Sequence, residues 1–164
     1  MLDATSMTSP PPPMPAAPWT RAEQPERLNV ASWLPARAAE RPFQRALIQP
    51  EGYNRLGKRL YSHLTYVQLD ALCDAYAHGL VRHGVARGQR VLMLVSQGME
   101  LIALTFALFK IGAVPVMIDP GMGREPFLAC VAEAAPEAMI GIPRGHFARK
   151  VLGKAFRSVE RAVI

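Results

Sequence analysis

The chain has 164 residues, half of them hydrophobic, with a formal net charge of +6 and a pI near 9.8. That length suits one modest domain with a real core, and the charge favours anionic partners such as nucleotides, phosphates or membrane surfaces. The cations are scattered, form no long run and are not interleaved with aromatic residues, so a nucleic-acid interface is not supported.

Residues 1–27 form a tail rich in Pro, Ala and Ser. It carries Asp3, lacks a basic start and has no apolar stretch, so it does not read as a signal peptide. Repeated prolines remove backbone donors and favour extended chain, so a disordered or loosely docked arm is expected. Pro11–Pro13 could engage a partner that reads polyproline II, a plain tail being favoured. Residues 28–164 are expected to form an α/β unit. The stretch "NVASWLPARAAERP" reads as a short helix, with Asn29 or Ser32 as cap and Trp33, Leu34 and Ala38 on its apolar face. "RALIQP" and "KRLYSHLT" read as strands joined through Glu51–Gly57 into an antiparallel hairpin at the edge of something larger.

The next segment, "TYVQLDALCDAYAHGLVRHG", is the clearest helix. Thr65 and Gln68 have capping-box spacing, Leu69, Leu72, Cys73, Tyr76 and Leu80 share one face, and Gly84 stands where a left-handed cap belongs. "VLMLV" (91–95) and "VPVMI" (114–118) are apolar runs of strand length, read as buried parallel strands, the second of them central. A helix over 98–111 connects them and ends at Gly112. "REPFLACVAEAA" follows as a helix that tolerates Pro126 in its first turn. "EAMIGI" reads as a strand, "GHFARKVLGKAF" as a helix and "RAVI" as a last strand. Strands alternating with helices through 65–164 imply a mostly parallel sheet with flanking helices.

Candidate chemistry is sparse. Cys73 and Cys130 read as buried thiols of a reducing, cytoplasmic compartment, with no spacing suited to zinc. Residues 99–118 are apolar, but Glu100, Lys110 and Pro115 interrupt them, which argues against a membrane span. Gly121 and Gly123 lie between a strand and a helix, where a dinucleotide loop belongs. That fingerprint needs a third glycine, and position 126 is Pro. Asp119 either orients a ligand or closes the turn through backbone N–H groups, the turn being favoured. Gly57-Lys58 and Gly153-Lys154 are not phosphate loops, and Ser96 lies outside any nucleophile elbow. His63, His78, His83 and His146 read as solvated or edge residues, with His78 and His83 five apart and so on different faces. No complete catalytic constellation emerges.

Three blocks in order, "LTYVQL" (64–69), "GVARGQRV" (84–91) and "LFKIGAVPVMIDP" (108–120), resemble successive motifs of the acyl-adenylate-forming enzymes, which include acyl-CoA synthetases, luciferases and peptide-synthetase adenylation domains. Gln68 stands for the usual Glu, Gln89 for the usual Asp and Ile111 for the usual Ala. The proline also comes early, at Pro115. "GAVPVMIDPGMG" followed by "EAMIGIP" is most similar to the bacterial β-lactone synthetases of long-chain olefin biosynthesis, often labelled fatty-acid–CoA ligases.

The resemblance implies a carboxylic-acid-activating enzyme using ATP and Mg²⁺. It would form an acyl-adenylate from a fatty or 3-hydroxy fatty acid, then a β-lactone or a CoA thioester. It also implies that the phosphate loop, the metal contact and the catalytic Lys of that family fall outside this chain, which lacks an [ST]-G-[ST]-T-G-x-P-K-G stretch. The expectation is thus an N-terminal piece, inactive alone, without transferable catalytic or metal-binding residues, and prone to self-association through exposed apolar surface. Two alternatives stand beside it: a self-contained nucleotide-binding module built on Gly121–Gly123, and a non-catalytic interaction protein using its basic surface or Pro-rich tail.

Overall fold

The computed structural model describes residues 29–141 and 154–163. The Pro-rich tail, His146 and most of the helix expected over 145–156 lie outside the described residues, and 154–158 form a turn. A 3₁₀ turn over Val30–Ser32 leads into α1 (Trp33–Glu40). Asn29 caps that turn by accepting from the Ala31 N–H at 2.9 Å, whereas Ser32 makes no side-chain cap. β1 (Arg45–Tyr53) and β2 (Arg59–Thr65) form an antiparallel hairpin. β1 runs further than the apolar "RALIQP" suggests, through an irregularity in pairing between Pro50 and Gly52, a place where the ladder tolerates a missing N–H. Asn54 closes the hairpin, its Oδ1 accepting from the Leu56 and Lys58 N–H groups at 2.9 Å each.

α2 (Tyr66–Arg82) starts on the expected capping box. The Thr65 hydroxyl accepts from the Gln68 N–H at 3.4 Å, and Gln68 Oε1 accepts from the Thr65 N–H at 2.9 Å. Its end is a Schellman motif, in which Gly84, at φ +83°, lets its own N–H reach the Val81 carbonyl and that of Val85 reach Leu80. The same device ends α3 (Met99–Ile111) at Gly112, φ +72°.

β3 (Arg90–Leu94), β4 (Val114–Val116), β5 (Ala138–Gly141) and β6 (Arg161–Val163) make one all-parallel sheet in the order β4-β3-β5-β6. β3 and β4 are neighbours, as their apolar runs suggest. The structure corrects one detail: β4 is only three residues long and lies at the edge of this sheet, with Val114 exposed and Val116 half-buried. Pro115 cannot donate to a second neighbour, which suits an edge position.

Side chains alternate across the sheet. Val91 and Met93 of β3, with Ala138 and Ile140 of β5, pack under Ala77 and Leu80 of α2 and Ala107 and Leu108 of α3. Leu92 and Met139 point the other way, into a cluster with Val131 of α4 (Arg124–Ala134), Phe156 and Val159. A third cluster joins Leu34 of α1, Leu69 and Cys73 of α2 and Ala103 of α3, with Leu47 and Leu64 of the hairpin against it.

Candidate functional site

The chain leaves β3 through α3 on one face of the sheet. After β5, the returning residues Phe156 and Val159 pack on the other. β3 and β5 are adjacent, so their carboxyl ends form a topological switch point, where open α/β sheets hold ligands. A mostly apolar cleft of about 580 Å³ opens there. Val95 and Ser96 after β3, and Ile140 and Gly141 of β5, line its sheet end. It continues along α2 past Tyr76 and Gly79 to His83, with Glu100 and Leu104 of α3 on its border.

The turn from β3 into α3 is held from a distance. Gln49 of the hairpin accepts from the Met99 N–H at 2.8 Å, satisfying one of the open donors at the start of α3. A Cβ at Gly98 would come within 2.9 Å of Gln49 Oε1, so a larger residue there would make that flexible side chain shift. Glu100 places a negative charge in the first turn, on the favourable end of the helix dipole.

Asp119 and the following glycines sit at the carboxyl end of β4. Asp119 Oδ1 accepts from the Gly121 N–H at 2.8 Å and closes a 3₁₀ turn over Pro120–Met122. Gly123, at φ +95°, then redirects the chain into α4. Asp119, Gly121 and Gly123 share the ligand end of the sheet but do not line the cleft. The carboxylate is engaged in its own turn.

His63, His78 and His83 are exposed, and of these only His83 borders the cleft. Ser96 does too, on the loop leaving β3. Cys73 is fully buried, and loss of hydration pushes its thiol up to about 11, so it stays protonated and inert near neutral pH. Cys130 is half-buried rather than buried, on α4. Lys110 of α3 reaches Asp70 and Asp74 of α2 at 2.5 Å each, in a largely shielded position. Burial opposes its charge, but hydrogen bonds and attraction from the two carboxylates outweigh that and hold its pKa above the ordinary lysine value.

Among the described residues no group of three or more His, Cys, Asp or Glu side chains is placed to hold a metal. The sequence carries no [ST]-G-[ST]-T-G-x-P-K-G stretch, and no reaction step is assigned to the described residues. No helix among the described residues is long and apolar enough to cross a membrane.

A parallel sheet with helices on both faces and a cleft at its switch point defines an open α/β scaffold. The chain belongs to the AMP-binding enzyme family, whose model matches residues 34–162. Enzymes of this family form acyl-adenylates and use ATP and Mg²⁺. The chain is 46% identical over 125 residues to the olefin beta-lactone synthetase of Xanthomonas campestris, a match covering 76% of this chain and 22% of that protein. It is 47% identical over 127 residues to the olefin beta-lactone synthetase of Stenotrophomonas maltophilia, covering 76% of this chain and 23% of that protein. Its fold is similar to that of a Mycobacterium tuberculosis fatty acyl CoA synthetase, with TM-score 0.65 and 22% identity over 82% of this chain and 26% of the other. The chain therefore spans less than a quarter of the length of the curated relatives it matches.

Proposed function

We propose that this chain is the amino-terminal scaffold of an ATP-dependent enzyme that activates a fatty or 3-hydroxy fatty acid as its acyl-adenylate and then closes a β-lactone. The identity to two olefin beta-lactone synthetases, 46% over 125 residues and 47% over 127, carries this reading. Activation of this kind is needed because a free carboxylate is a poor electrophile. Positioned cations that take up the developing phosphate charge are expected to supply most of the catalysis, and they belong to the remainder of the family's enzyme. Within this chain, α2, α3 and the parallel sheet give the rest a rigid support, and the switch-point cleft lies on the side where the substrate would enter. CoA thioester formation is the second reading, favoured by relatives named CoA ligases, such as the 2-succinylbenzoate–CoA ligase of Bacillus cereus, 32% identical over 100 residues.

The test is ATP–pyrophosphate exchange by the product of the complete gene, across a panel of plain and 3-hydroxy fatty acids. Exchange with both, and β-lactone release only from the 3-hydroxy acids without CoA, supports the proposal. CoA-dependent thioester as sole product moves the assignment to the ligases. Turnover of ATP and fatty acid by the 164-residue chain unaided would end the scaffold reading.

A further inference from the structure

The β1–β2 hairpin is packed at its root and bare at its tip. Leu47 and Leu64 lie against the cluster shared by α1, α2 and α3. Strand pairing then runs on from Leu47 to Tyr53, about 20 Å of strand. From Glu51 to Tyr61 every residue but Asn54 is exposed. Leu56, at the apex, is 82% exposed, and Tyr53, Leu60 and Tyr61 stand beside it on the strands.

Polar contacts hold the tip in shape. Asn54 Oδ1 accepts from the Leu56 and Lys58 N–H groups, and the Asn54 N–H reaches the Lys58 carbonyl at 2.8 Å. The Arg59 guanidinium lies over the Tyr53 ring, 4.9 Å from its centre, and donates to the Tyr53 hydroxyl at 2.5 Å. Arg55 precedes Leu56, and Lys58 follows it across Gly57. Four cations, Arg45, Arg55, Lys58 and Arg59, against Glu51 alone give residues 45–65 a charge of +3, half of the chain's +6. That single carboxylate is engaged, accepting from the Ser62 hydroxyl at 2.5 Å.

We propose that this hairpin tip docks on an anionic phospholipid surface. Leu56 enters the acyl boundary, Tyr53 and Tyr61 sit at headgroup level, and Arg55, Lys58 and Arg59 pair with lipid phosphates. A preformed turn loses little freedom when it inserts. The shape favours a lipid surface over a protein. A protein interface needs about 800 Å² on each partner, and one apolar side chain on a cation-flanked apex supplies far less. A fluid surface requires only insertion and charge. Long acyl chains partition into the same surface, so docking brings the enzyme to the acid proposed above. The docking itself rests on the hairpin alone, and a negative exchange assay would leave it standing.

The test is flotation of the 164-residue chain with vesicles of phosphatidylcholine alone and of phosphatidylcholine with phosphatidylglycerol. Flotation is expected only with the anionic vesicles and should fade as salt rises. Leu56→Ser should weaken it by about tenfold, the loss expected for one inserted leucine. Arg55→Gln combined with Lys58→Gln should weaken it by about twentyfold or more, at about 1 kcal/mol for each cation. Both variants should melt with the parent, since the exchanged side chains are exposed and Asn54 holds only the backbone of Leu56 and Lys58. Absence of flotation overturns the inference, as does equal flotation with neutral vesicles or flotation indifferent to either variant. If the chain binds polyglutamate and not the anionic vesicles, the tip serves an acidic protein surface and the inference fails.

Discussion

The two faces of the parallel sheet are built from the same strands and finished in different ways. Leu92 and Met139 lie in a closed cluster, and both are fully buried. On the opposite face Leu80 is nearly as buried, yet it lines the cleft. Burial fraction alone makes these positions look equivalent. What separates them is the far side of each side chain, where one meets packed atoms and the other borders open space. The closed face is therefore a source of stability, and the open face leaves an apolar cleft beside α2.

The largest effects should test that difference directly. Leu92→Ala leaves a cavity that its neighbours cannot collapse into, at a cost of about 3–5 kcal/mol. Leu80→Ala removes the same atoms but enlarges a cleft already open to water, so its cost should fall near 2 kcal/mol. Denaturant midpoints for the two variants provide the check, and equal losses would erase the distinction between the faces.

A smaller effect concerns how α2 and α3 are held together. Lys110 of α3 bridges to Asp70 and Asp74 of α2, and the side chains of Lys110 and Asp70 are only 14% and 18% exposed. Lys110→Met leaves two carboxylates facing each other without a cation, and a loss of about 1–3 kcal/mol is expected at neutral pH. The pH dependence has a definite sign. The folded-state pKa of Lys110 lies above the ordinary lysine value, so the bridge is at full strength below the ordinary value and weakens as pH rises through the folded one. Alkaline melting curves of the parent should show this loss, and those of Lys110→Met should not. On the same face, Gly112→Ala forces a Cβ into a φ of +72° and to within 3.0 Å of Arg87 Cγ. A cost of about 1 kcal/mol is expected, with the end of α3 fraying first in amide exchange.

What was legible in the sequence follows the range of the interaction concerned. The capping box of Thr65 and Gln68 spans one helical turn, and it survives the change from the family's usual Glu because the Gln amide oxygen accepts the same N–H. Gly84 and Gly112 were readable for the same reason: each ends its own helix. The parallel pairing of β3 and β4 was also legible, from two apolar runs joined by a helix. The length and place of β4 were not, because Met117 and Ile118 are as apolar as a strand residue while tertiary contacts decide where pairing stops. Gln49 gave no signal at all. Its partner, Met99, lies 50 residues away, and only the docking of the hairpin against α3 makes it a cap. The cleft was equally hidden, since it is defined by which face each crossover takes. A mid-helix Gly79 with no turn to serve was the one local clue.

Both faces hang from the amino ends of the same strands, and the smallest prediction lies there. Glu137 precedes β5 and accepts from the Arg90 N–H at 2.6 Å, where β3 begins. That hydrogen bond, against a smaller opposing effect of burial and with help from the Arg90 charge, holds the Glu137 carboxyl below the ordinary glutamate range. A lowered carboxyl stabilises the fold above its unfolded pKa, and the contribution disappears as pH falls through the folded one. Glu137→Gln keeps an acceptor for the N–H but cannot ionise. Its stability should fall short of the parent's by less than about 1 kcal/mol at pH 7, since the side chain is 35% exposed and solvent screens it. The gap should close as pH falls through the folded-state pKa of Glu137. If it persists in acid, the side-chain shape rather than its charge ties β3 to β5. The two faces would then share a purely steric hinge at that end of the sheet.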